Sequence, residues 1–409
     1  MQPSAPSTTA RAVTVVGLGA GGWSDLSERL RELVAGADVL LGGRRHLGLV
    51  PPVLGQLREP WPSPLLDALP DLLEEHADRR VVVLASGDPL VSGIGTTLVE
   101  LLGSDRIVVE PALSSVALAR ARMGWSAESS TVVTIVGRDP HAVLRELAPG
   151  RRVLVLSSDA DSPAGLAKLL DVAGFGETRM TVLGDLGSAH ESRFSDIASR
   201  WSADVPALHV LALEMAGSGH VSWVPGLPDE AFEHDGQLTK RDLRASALAR
   251  LAPCPGQLLW DVGAGAGSVG IEWMRAHPTC RALAIEADPQ RAERIGRNAE
   301  RLGVPALDVV AGRAPDSLVG RTKPDAVFVG GGATAPGLVG YCVSSLRAGG
   351  RLVVHGVTVE TEGLLARMHA SHGGELTRHA VETAAPIGSF TGWTPARTVT
   401  QWAWTKEPV

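Results

Sequence analysis

The sequence predicts an α/β protein built from two domains, and three observations lead to this prediction. The chain has 409 residues, which suits two folding units better than one. Short apolar runs typical of buried strands recur along it, and many of them end in glycine. Helix-like stretches such as Leu26–Ala35 and Pro289–Leu302 lie between these runs, which favours parallel strands. The predicted strands are Val13–Val16, Val81–Leu84, Val132–Val136, Val153–Leu156, Leu258–Trp260, Ala282–Ile285, Ala326–Val329 and Leu352–Val354.

The alternation of strands and helices stops between residues 216 and 234, where glycines and prolines leave no long periodic stretch. We therefore expect the domain boundary there. The two halves do not align as an internal repeat, which indicates a fusion of two different domains. The predicted divisions are a flexible N-terminal tail at 1–12, a first domain at 13–215, a linker at 216–234 and a second domain at 235–409.

Composition excludes several classes of protein. Lysine and arginine total 38 against 45 acidic residues, a net charge of −7, so nucleic acid is not expected as a partner. No uninterrupted apolar segment is long enough to cross a membrane, and the start of the chain lacks the apolar core of a signal peptide. The three cysteines lie far apart without metal-ligand spacing, which predicts no metal site and a reducing, cytoplasmic location.

The strongest local signal is the glycine-rich segment after the first predicted strand of the second half. Gly263, Gly265 and Gly267 alternate there and let the backbone turn tightly against a ligand. Glycine spacing alone would also fit a dinucleotide site, because Gly265, Gly267 and Gly270 satisfy G-x-G-x-x-G. Asp261 favours a site for S-adenosylmethionine (AdoMet) over a dinucleotide site, since a carboxylate suits the cationic end of AdoMet and would repel a pyrophosphate.

Three further elements follow in an order that suits a nucleoside. Glu286 ends the next strand, where an acid can accept both ribose hydroxyls of AdoMet or NAD. Gly312 and Ala314 form a small-residue turn beside which an adenine ring could lie, and Phe328 leads into a glycine-rich strand exit. Each feature alone could be a turn, a helix cap or a surface acid. The ordered set favours a bound methyl donor.

These motifs, together with the upstream segment Gly236–Arg244, resemble the decarboxylating precorrin methyltransferase family of corrin biosynthesis. The resemblance runs from about Asp235 to the end of the chain and implies a Rossmann-like AdoMet-dependent methyltransferase domain. Ala266 stands where the family usually has threonine, so one hydroxyl contact is lost. The AdoMet contacts that the resemblance implies are Thr239, Gly263, Ala264, Gly265, Ala266, Gly267, Glu286 and Ala314.

Two basic residues of the upstream segment are candidates for the reaction itself. Lys240 and Arg244 are interpreted as anchoring substrate carboxylates or as ordering the Thr239 loop. A structural role for Lys240 at the start of a helix stays open.

The first half carries a different set of loops. Gly17 and Gly19 also begin a G-x-G-x-x-G pattern, but the next strand ends at Gly42 and Gly43 without an acid for a ribose, which argues against a dinucleotide. Small and hydroxylated residues directly follow two other strands, where loops can approach a ligand through backbone groups. These residues are Ser86, Gly87, Asp88, Ser114 and Ser115.

In combination, the loops of the first half resemble the tetrapyrrole methylase family, in which AdoMet lies folded between two α/β subdomains. The match covers about Val13–Met215, and residues 42–46 and 123–125 are similar to the branch that methylates C5. The resemblance implies AdoMet contacts from Gly17, Gly19 and the five loop residues named above. Val136 stands where the family often has histidine, which puts any chemistry of that histidine in doubt.

Basic side chains of the first half are the candidate substrate ligands. Arg44, Arg45 and His46 form a cluster that could bind substrate carboxylates, and Arg138 keeps the same role from the family pattern. As an isolated cluster the first three would more often form a solvated surface.

The order of the two domains is similar to that of the fused precorrin-6Y C5,15-methyltransferase family. The resemblance implies two methyl transfers to bridging carbons of a tetrapyrrole, loss of carbon dioxide from the ring C acetate, one AdoMet per domain and a homo-oligomer. Two alternatives stay open. One is an AdoMet-dependent methyltransferase acting on RNA or protein, and the other is a fusion in which only one domain is active.

Overall fold

The protein is described here by a computed structural model that covers residues 11–157, 159–218 and 222–408. Most of the expected N-terminal tail and residues 219–221 of the expected linker lie outside the described residues. The chain forms two compact units. The first unit takes in Met1–Arg138, Gly150–Asp171 and Phe175–Gly217, and the second takes in Asp139–Pro149, Val172–Gly174 and Ser218–Val409.

The first unit contains a parallel five-stranded sheet in the order β3-β2-β4-β1-β5. Valine and leucine side chains on both faces of β1, β2 and β4 are buried, because helices cover both sides of the sheet. The strands are β1 (Val13–Leu18), β2 (Val39–Gly42), β3 (Leu57–Pro60), β4 (Val81–Ser86) and β5 (Ile107–Glu110). The helices are α1 (Glu28–Ala35), α2 (Arg44–Gly48), α3 (Leu65–Glu75), α4 (Ile94–Leu102) and α5 (Ser115–Met123).

The second sheet of this unit is mostly antiparallel, in the order β6-β7-β10-β8-β9, with only the β6–β7 pair parallel. Val116 and Ala119 of α5 pack with Leu154 and Val210 of this sheet, so α5 joins its core. The strands are β6 (Thr131–Thr134), β7 (Arg152–Leu156), β8 (Arg179–Gly184), β9 (Ser192–Ile197) and β10 (His209–Glu214), with helix α6 (Ser162–Val172) after β7.

The second unit is built on a seven-stranded sheet in the order β13-β12-β11-β14-β15-β19-β16. Strands β11 to β15 are parallel, and β19 runs antiparallel to both of its neighbours. The strands are β11 (Leu258–Val262), β12 (Arg281–Glu286), β13 (Asp308–Ala311), β14 (Ala326–Val329), β15 (Arg351–Gly356), β16 (Glu375–His379) and β19 (Val399–Thr405), with a hairpin of β17 (Glu382–Ile387) and β18 (Phe390–Pro395). The helices are α7 (Arg241–Leu251), α8 (Ser268–Ala276), α9 (Pro289–Arg301), α10 (Leu338–Ser345) and α11 (Val359–His372).

Chain order places a binding crevice in the second unit. Strand β11 pairs with β12 on one side and with β14 on the other, so the direction in which the chain winds reverses at β11. In open α/β sheets ligands bind outside the carboxyl ends of the strands at such a reversal. The glycine-rich loop that follows β11 therefore lies where this fold binds its ligand.

The predicted α/β class is confirmed, and every strand predicted from the sequence is present. The predicted helix at 289–302 ends at Arg301, and the helix expected from Leu26 begins at Glu28. Among the described residues, no helix combines the length and the apolar character that crossing a membrane requires.

Candidate active sites

The glycine-rich loop of the second unit has a backbone that side chains would disturb. Gly263, Gly265 and Gly267 have φ angles of 66°, 61° and 75°, in the left-handed region that favours glycine. A Cβ atom on Gly263 would lie 2.8 Å from the carbonyl oxygen of Gly331. One on Gly265 would lie 2.8 Å from the carbonyl oxygen of Gln237. The glycines therefore let this loop meet both the exit of β14 and the segment before α7.

Asp261 is buried at the end of β11 with one carboxylate oxygen free. Its Oδ2 accepts a hydrogen bond of 2.8 Å from the backbone N–H of Gly270, in the first turn of α8. Its Oδ1 is buried and has no hydrogen-bond partner among the described residues. Burial raises the pKa of Asp261 to about 7, and the nearby charge of Glu286 adds to this rise. One oxygen thus caps a helix, while the other can accept from a cationic ligand.

Glu286 is buried at the end of β12 and holds the glycine-rich loop. Its Oε2 accepts from the backbone N–H of Gly265 at 2.8 Å, and its Oε1 accepts from that of Asp288 at 3.1 Å. Because Glu286 is buried, the alternative interpretation of this residue as an acid on the protein surface is wrong. Each carboxylate oxygen keeps a second lone pair, so hydroxyl groups of a ligand can still be accepted.

The remaining small residues of this site surround the same loop. The N–H of Ala264 donates to the carbonyl of Ile285 at 3.1 Å, and Ala266 is buried in the core on one side of the sheet. The N–H of Gly312 donates to the carbonyl of Glu286 at 2.8 Å, and Ala314 is partly buried against the core on the other side. The structure thus gathers these residues around the ends of β11, β12 and β13.

Arg244 orders the Thr239 loop and has no exposed surface for a substrate. Its side chain is completely buried, and its Nε donates to Glu272 at 2.6 Å. Its two terminal nitrogens donate to the carbonyl oxygens of Thr239 and Leu227. Its guanidinium also lies over the ring of Phe232 at 4.7 Å. The expectation that Arg244 anchors a substrate carboxylate is therefore wrong. Its side chain instead orders the Thr239 loop, which was the alternative interpretation.

Lys240 differs from Arg244 in its accessibility. Its side chain is 54% exposed, and its Nζ lies 3.4 Å from Oδ2 of Asp229. It occupies the position before α7 and makes no side-chain cap to that helix. Its ammonium group can therefore reach a ligand from solvent.

Two buried polar residues that hold the site were not anticipated from the sequence. Both oxygens of Glu272 accept backbone N–H groups, of Gly226 at 2.6 Å and of Leu227 at 3.0 Å, besides the bond from Arg244. Asn298 of α9 donates to the carbonyl of Ala266 at 3.0 Å and accepts from the N–H of Glu233 at 2.8 Å. The signal that could have revealed Glu272 is a charge inside the otherwise apolar stretch of α8.

In the first unit, the loops after β4 and β5 meet each other and the end of β1. The N–H of Gly87 donates to the carbonyl of Leu18 at 2.8 Å, and the N–H of Ala112 donates to the carbonyl of Gly87 at 3.1 Å. A Cβ atom on Gly17 would lie 1.9 Å from the carbonyl oxygen of Gly87. A Cβ atom on Gly87, whose φ is 49°, would lie 3.1 Å from the Cα of Ser114. The predicted residues Gly17, Gly87 and Ser114 are therefore brought together.

The loop after β1 is closed by an acid of the chain itself. Oδ2 of Asp25 accepts from the N–H of Gly21 at 2.9 Å, and a Cβ atom on Gly19 would lie 2.8 Å from the same oxygen. A carboxylate beside the G-x-G segment would repel a pyrophosphate. This geometry agrees with the sequence argument against a dinucleotide.

The other predicted residues of the first unit have separate positions. Oδ1 of Asp88 accepts from the N–H of Leu90, Oγ of Ser114 caps α5 through the N–H of Ala117, and Ser115 begins that helix. Arg44 and Arg138 are exposed. In contrast, Arg45, His46 and Ser86 form one hydrogen-bonded group, in which Arg45 Nη2 lies 2.9 Å from both His46 Nε2 and Ser86 Oγ.

No group of three or more histidine, cysteine, aspartate or glutamate side chains suited to a metal ion occurs within 11–157, 159–218 and 222–408.

Comparison with known proteins matches both halves and the whole chain. The family described as tetrapyrrole (corrin/porphyrin) methylases matches residues 12–198, and the family described as precorrin methyltransferase domain matches residues 230–406. A precorrin-6Y C(5,15)-methyltransferase [decarboxylating] from Sinorhizobium sp is 45% identical over 407 residues, 98% of each chain. The protein of that name from Mycobacterium tuberculosis (strain CDC 1551 / Oshkosh) is 44% identical over 398 residues, 96% of this chain and 100% of that one. The crystal structure of the C-terminal domain of precorrin-6Y C5,15-methyltransferase from Rhodobacter capsulatus is 43% identical and covers 46% of this chain and 100% of that one, with a TM-score of 0.44.

Proposed function

Because the chain belongs to the precorrin-6Y C(5,15)-methyltransferase (decarboxylating) family, we propose that it methylates C5 and C15 of precorrin-6Y and decarboxylates the ring C acetate. The observation that carries this proposal is the 45% identity to the Sinorhizobium relative, which extends over 98% of both chains and so includes both units. The first unit acts at C5 in this proposal, and the second acts at C15 with decarboxylation.

The residues of the second unit suit AdoMet by charge and by shape. The unpartnered Oδ1 of Asp261 can accept from a cationic group, and the positive φ angles of Gly263, Gly265 and Gly267 give the tight turn beside it. Glu286 keeps acceptor capacity for ribose hydroxyls, and Gly312 lies beside it, since its N–H donates to the carbonyl of Glu286. AdoMet, when bound, supplies an electrophilic methyl group to a carbon of the tetrapyrrole.

The residues that would hold AdoMet in the second unit are Thr239, Asp261, Gly263, Ala264, Gly265, Ala266, Gly267, Glu286, Gly312 and Ala314. In the first unit they are Gly17, Gly19, Ser86, Gly87, Asp88, Ser114 and Ser115, with one AdoMet per domain. The meeting of the end of β1 with the loops after β4 and β5 supports the second set.

The chain's own side chains position the tetrapyrrole in this proposal rather than attack it. Lys240 is an accessible cation beside the C15 site, and Arg44, Arg45 and Arg138 are the candidate carboxylate ligands of the C5 site. The conjugated macrocycle can accept the electrons released on decarboxylation, so no covalent catalyst is required. Alignment of donor and acceptor can supply much of the rate.

The test is an assay of the full chain with AdoMet and a precorrin acceptor, read by mass spectrometry. The proposal predicts a product with two added methyl groups and one lost carboxyl group. Running a cobalt-precorrin acceptor in parallel decides which form of the substrate is used. Methylation of RNA or protein in place of the tetrapyrrole would contradict the proposal.

Assaying each half-reaction with its own acceptor distinguishes two active domains from a fusion in which only one domain is active. A precorrin that already carries the C15 methyl group tests the first unit alone, and release of carbon dioxide from an acceptor that retains the ring C acetate tests the second. Both should react. A chain that completes only one reaction is a fusion with one active unit.

Two further features belong to the same proposal. A cytoplasmic location is supported by the three cysteines, which are all free thiols in the structure. A homo-oligomer is supported only by the resemblance between this chain and methylases that self-associate. Sedimentation of the purified chain would measure its oligomeric state.

A further inference from the structure

The guanidinium of Arg45 is bonded to neutral side chains, in contrast to three other arginines of the first unit. Arg29, Arg80 and Arg122 each donate two hydrogen bonds to a carboxylate, of Glu110, Asp38 and Glu191 respectively. The Nη2 atom of Arg45 instead donates to the imidazole of His46 and to the hydroxyl of Ser86, both at 2.9 Å. Arg45 forms no ion pair with any residue that the structure describes.

The hydrogen bonds fix the form of the His46 imidazole. A guanidinium can only donate, so Nε2 of His46 accepts and the ring proton resides on Nδ1. Oγ of Ser86 lies 2.7 Å from the same Nε2 and completes a triangle of three polar atoms. A second proton on His46 would place two donors and two positive charges against each other.

Charge and burial agree with this neutral form. Burial lowers the pKa of His46 to about 4, and the positive charge of Arg45 adds to the effect. Partial desolvation also lowers the pKa of the Arg45 guanidinium, while the carboxylate of Asp185, which forms no ion pair with it in the described residues, acts in the opposite direction. The guanidinium thus keeps a positive charge that no directly bonded carboxylate neutralises.

The position of the group is that of a ligand site. Arg45 and His46 lie in the first turn of α2, directly after β2, and Ser86 is the last residue of β4. Strands β2 and β4 are parallel neighbours, so all three residues lie at the carboxyl edge of the sheet. Gly87, which the meeting loops of the first unit share, follows Ser86 directly. Arg45 remains exposed and can be reached from this edge.

We propose that His46 is a positioning residue that holds Arg45 through a neutral acceptor, so that the guanidinium keeps its charge for a carboxylate of the ligand at the C5 site. The inference rests on the proposed function. It assigns His46 a specific role, whereas the sequence indicated only that the cluster of Arg44, Arg45 and His46 could bind substrate carboxylates. A carboxylate in place of His46 would hold Arg45 equally well but would neutralise it. An uncharged acceptor holds it without that loss.

Two sources can supply the carboxylate, namely the acid side chains of the tetrapyrrole and the methionine carboxylate of AdoMet. Their shared chemistry is a carboxylate that accepts two N–H bonds from one guanidinium. Measuring the dissociation constants of the two ligands separately distinguishes them.

The test compares His46→Glu with His46→Gln in the full chain. The glutamine keeps a neutral acceptor, whereas the glutamate supplies a negative one. Binding of a precorrin that carries the C15 methyl group is followed by its absorbance without AdoMet, AdoMet binding is followed by calorimetry, and KM and kcat for C5 methylation are measured alongside.

We expect His46→Glu to weaken binding of one of the two ligands about tenfold or more, because a charge-assisted hydrogen bond contributes about 1.5–3 kcal/mol. His46→Gln should stay within about threefold of the wild type. The loss should appear in KM with kcat little changed, and the weakened ligand is the source of the carboxylate. Equal binding by both variants, or equal loss in both, would overturn the inference.

Arg45→Met and the double variants His46→Glu/Arg45→Met and His46→Gln/Arg45→Met keep the test decisive if His46→Glu folds poorly. Once the guanidinium is gone, the charge at position 46 should no longer discriminate, so the glutamate and glutamine double variants should bind alike. A remaining difference would overturn the inference. Release of carbon dioxide by the second unit serves as the internal control, and a wild type that never methylates C5 contradicts the proposed function instead.

Discussion

The two units present opposite charges where each is proposed to hold its ligands. In the second unit a buried carboxylate, Asp261, keeps one oxygen without a partner, and burial raises its pKa to about 7. In the first unit an exposed guanidinium, Arg45, is held by the neutral groups of His46 and Ser86. The first arrangement suits a cation and the second suits an anion.

This difference shows that similar glycine patterns can occur in sites that suit ligands of opposite charge. Each unit has a strand that leads into a G-x-G segment, β1 in the first and β11 in the second, but only β11 carries an acid near its end. In the first unit the acid near the loop is Asp25, which accepts from Gly21 and belongs to the loop's own structure. Substitutions that affect one unit and spare the other can test the comparison.

The largest expected effect is that of Gly17→Ala on the first unit. The new Cβ atom would lie 1.9 Å from the carbonyl oxygen of Gly87, so the end of β1 and the loop after β4 must separate. Misplacement on the scale of 1 Å costs about 100-fold in rate, and we expect at least that loss in C5 methylation. Carbon dioxide release by the second unit should persist. Gly165→Ala, at a site in α6 where an added Cβ meets nothing within 4 Å, is the matched control.

The next effect is on the stability of the second unit. Glu272→Gln removes the closer of the two carboxylates that pair with the completely buried Arg244, at 2.6 Å, and leaves Asp229 at 3.4 Å; the loss should cost about 3–5 kcal/mol in free energy of unfolding. Denaturant unfolding should then show an early transition of the second unit, with the first unit unchanged. Glu375→Gln, which breaks the more exposed pair with Arg250, should cost less than about 1 kcal/mol. Similar losses in the two variants would contradict the structural role of Arg244.

A smaller effect is expected for Asp261→Asn, which keeps the acceptor for Gly270 but removes the charge. AdoMet binding to the second unit should weaken about 10–100-fold above pH 7, because a charge-assisted hydrogen bond is lost. In the wild type this affinity should rise as pH rises through about 7, where Asp261 ionises, and it should be flat in the variant.

The stability of the ligand-free protein should change with pH in the opposite sense. The folded-state pKa of Asp261 is raised, so its contribution to stability is fully present below the unfolded pKa and is lost as pH rises through about 7. Asp261→Asn should remove this part of the pH dependence. An unchanged pH profile in thermal unfolding would contradict the assignment.

The smallest effect is expected for Lys240→Gln at the C15 site. An exposed cation contributes up to about 1 kcal/mol, so KM for the acceptor should rise up to about fivefold with stability unchanged. Lys323→Gln, at another exposed lysine, is the control. A fall in stability without a change in KM would favour the structural alternative for Lys240.

The sequence predicted those parts of the site that backbone geometry determines. Alternating glycines after a strand leave few conformations, so the tight turn around Gly265 follows from their spacing, and the acids at positions 261 and 286 follow from the predicted strand ends. The burial of Arg244 was missed, although it lies on the same face of α7 as Ala247, Leu248 and Leu251, which are all buried. A charged residue at helical spacing from these apolar residues would have indicated that Arg244 is buried.

Parts of the fold that depend on distant pairing were not predicted. Strands β8 to β10 form an antiparallel sheet, and β9 is exposed along most of its length, so its sequence carries no buried apolar run. The hairpin of β17 and β18 is likewise mostly exposed. Whether such segments form strands depends on the strands with which they pair, and a local sequence pattern does not reveal those partners. The Arg45–His46–Ser86 group depends on the neighbouring of β2 and β4 in the same way.

The central claim is that one chain carries two separate AdoMet sites, and calorimetric titration of the full chain with AdoMet tests it most directly. The wild type should bind two equivalents, while Asp261→Asn and Gly17→Ala should each weaken a different one and leave the other unchanged. A single equivalent in the wild type, or loss of both sites in either folded variant, would contradict the claim.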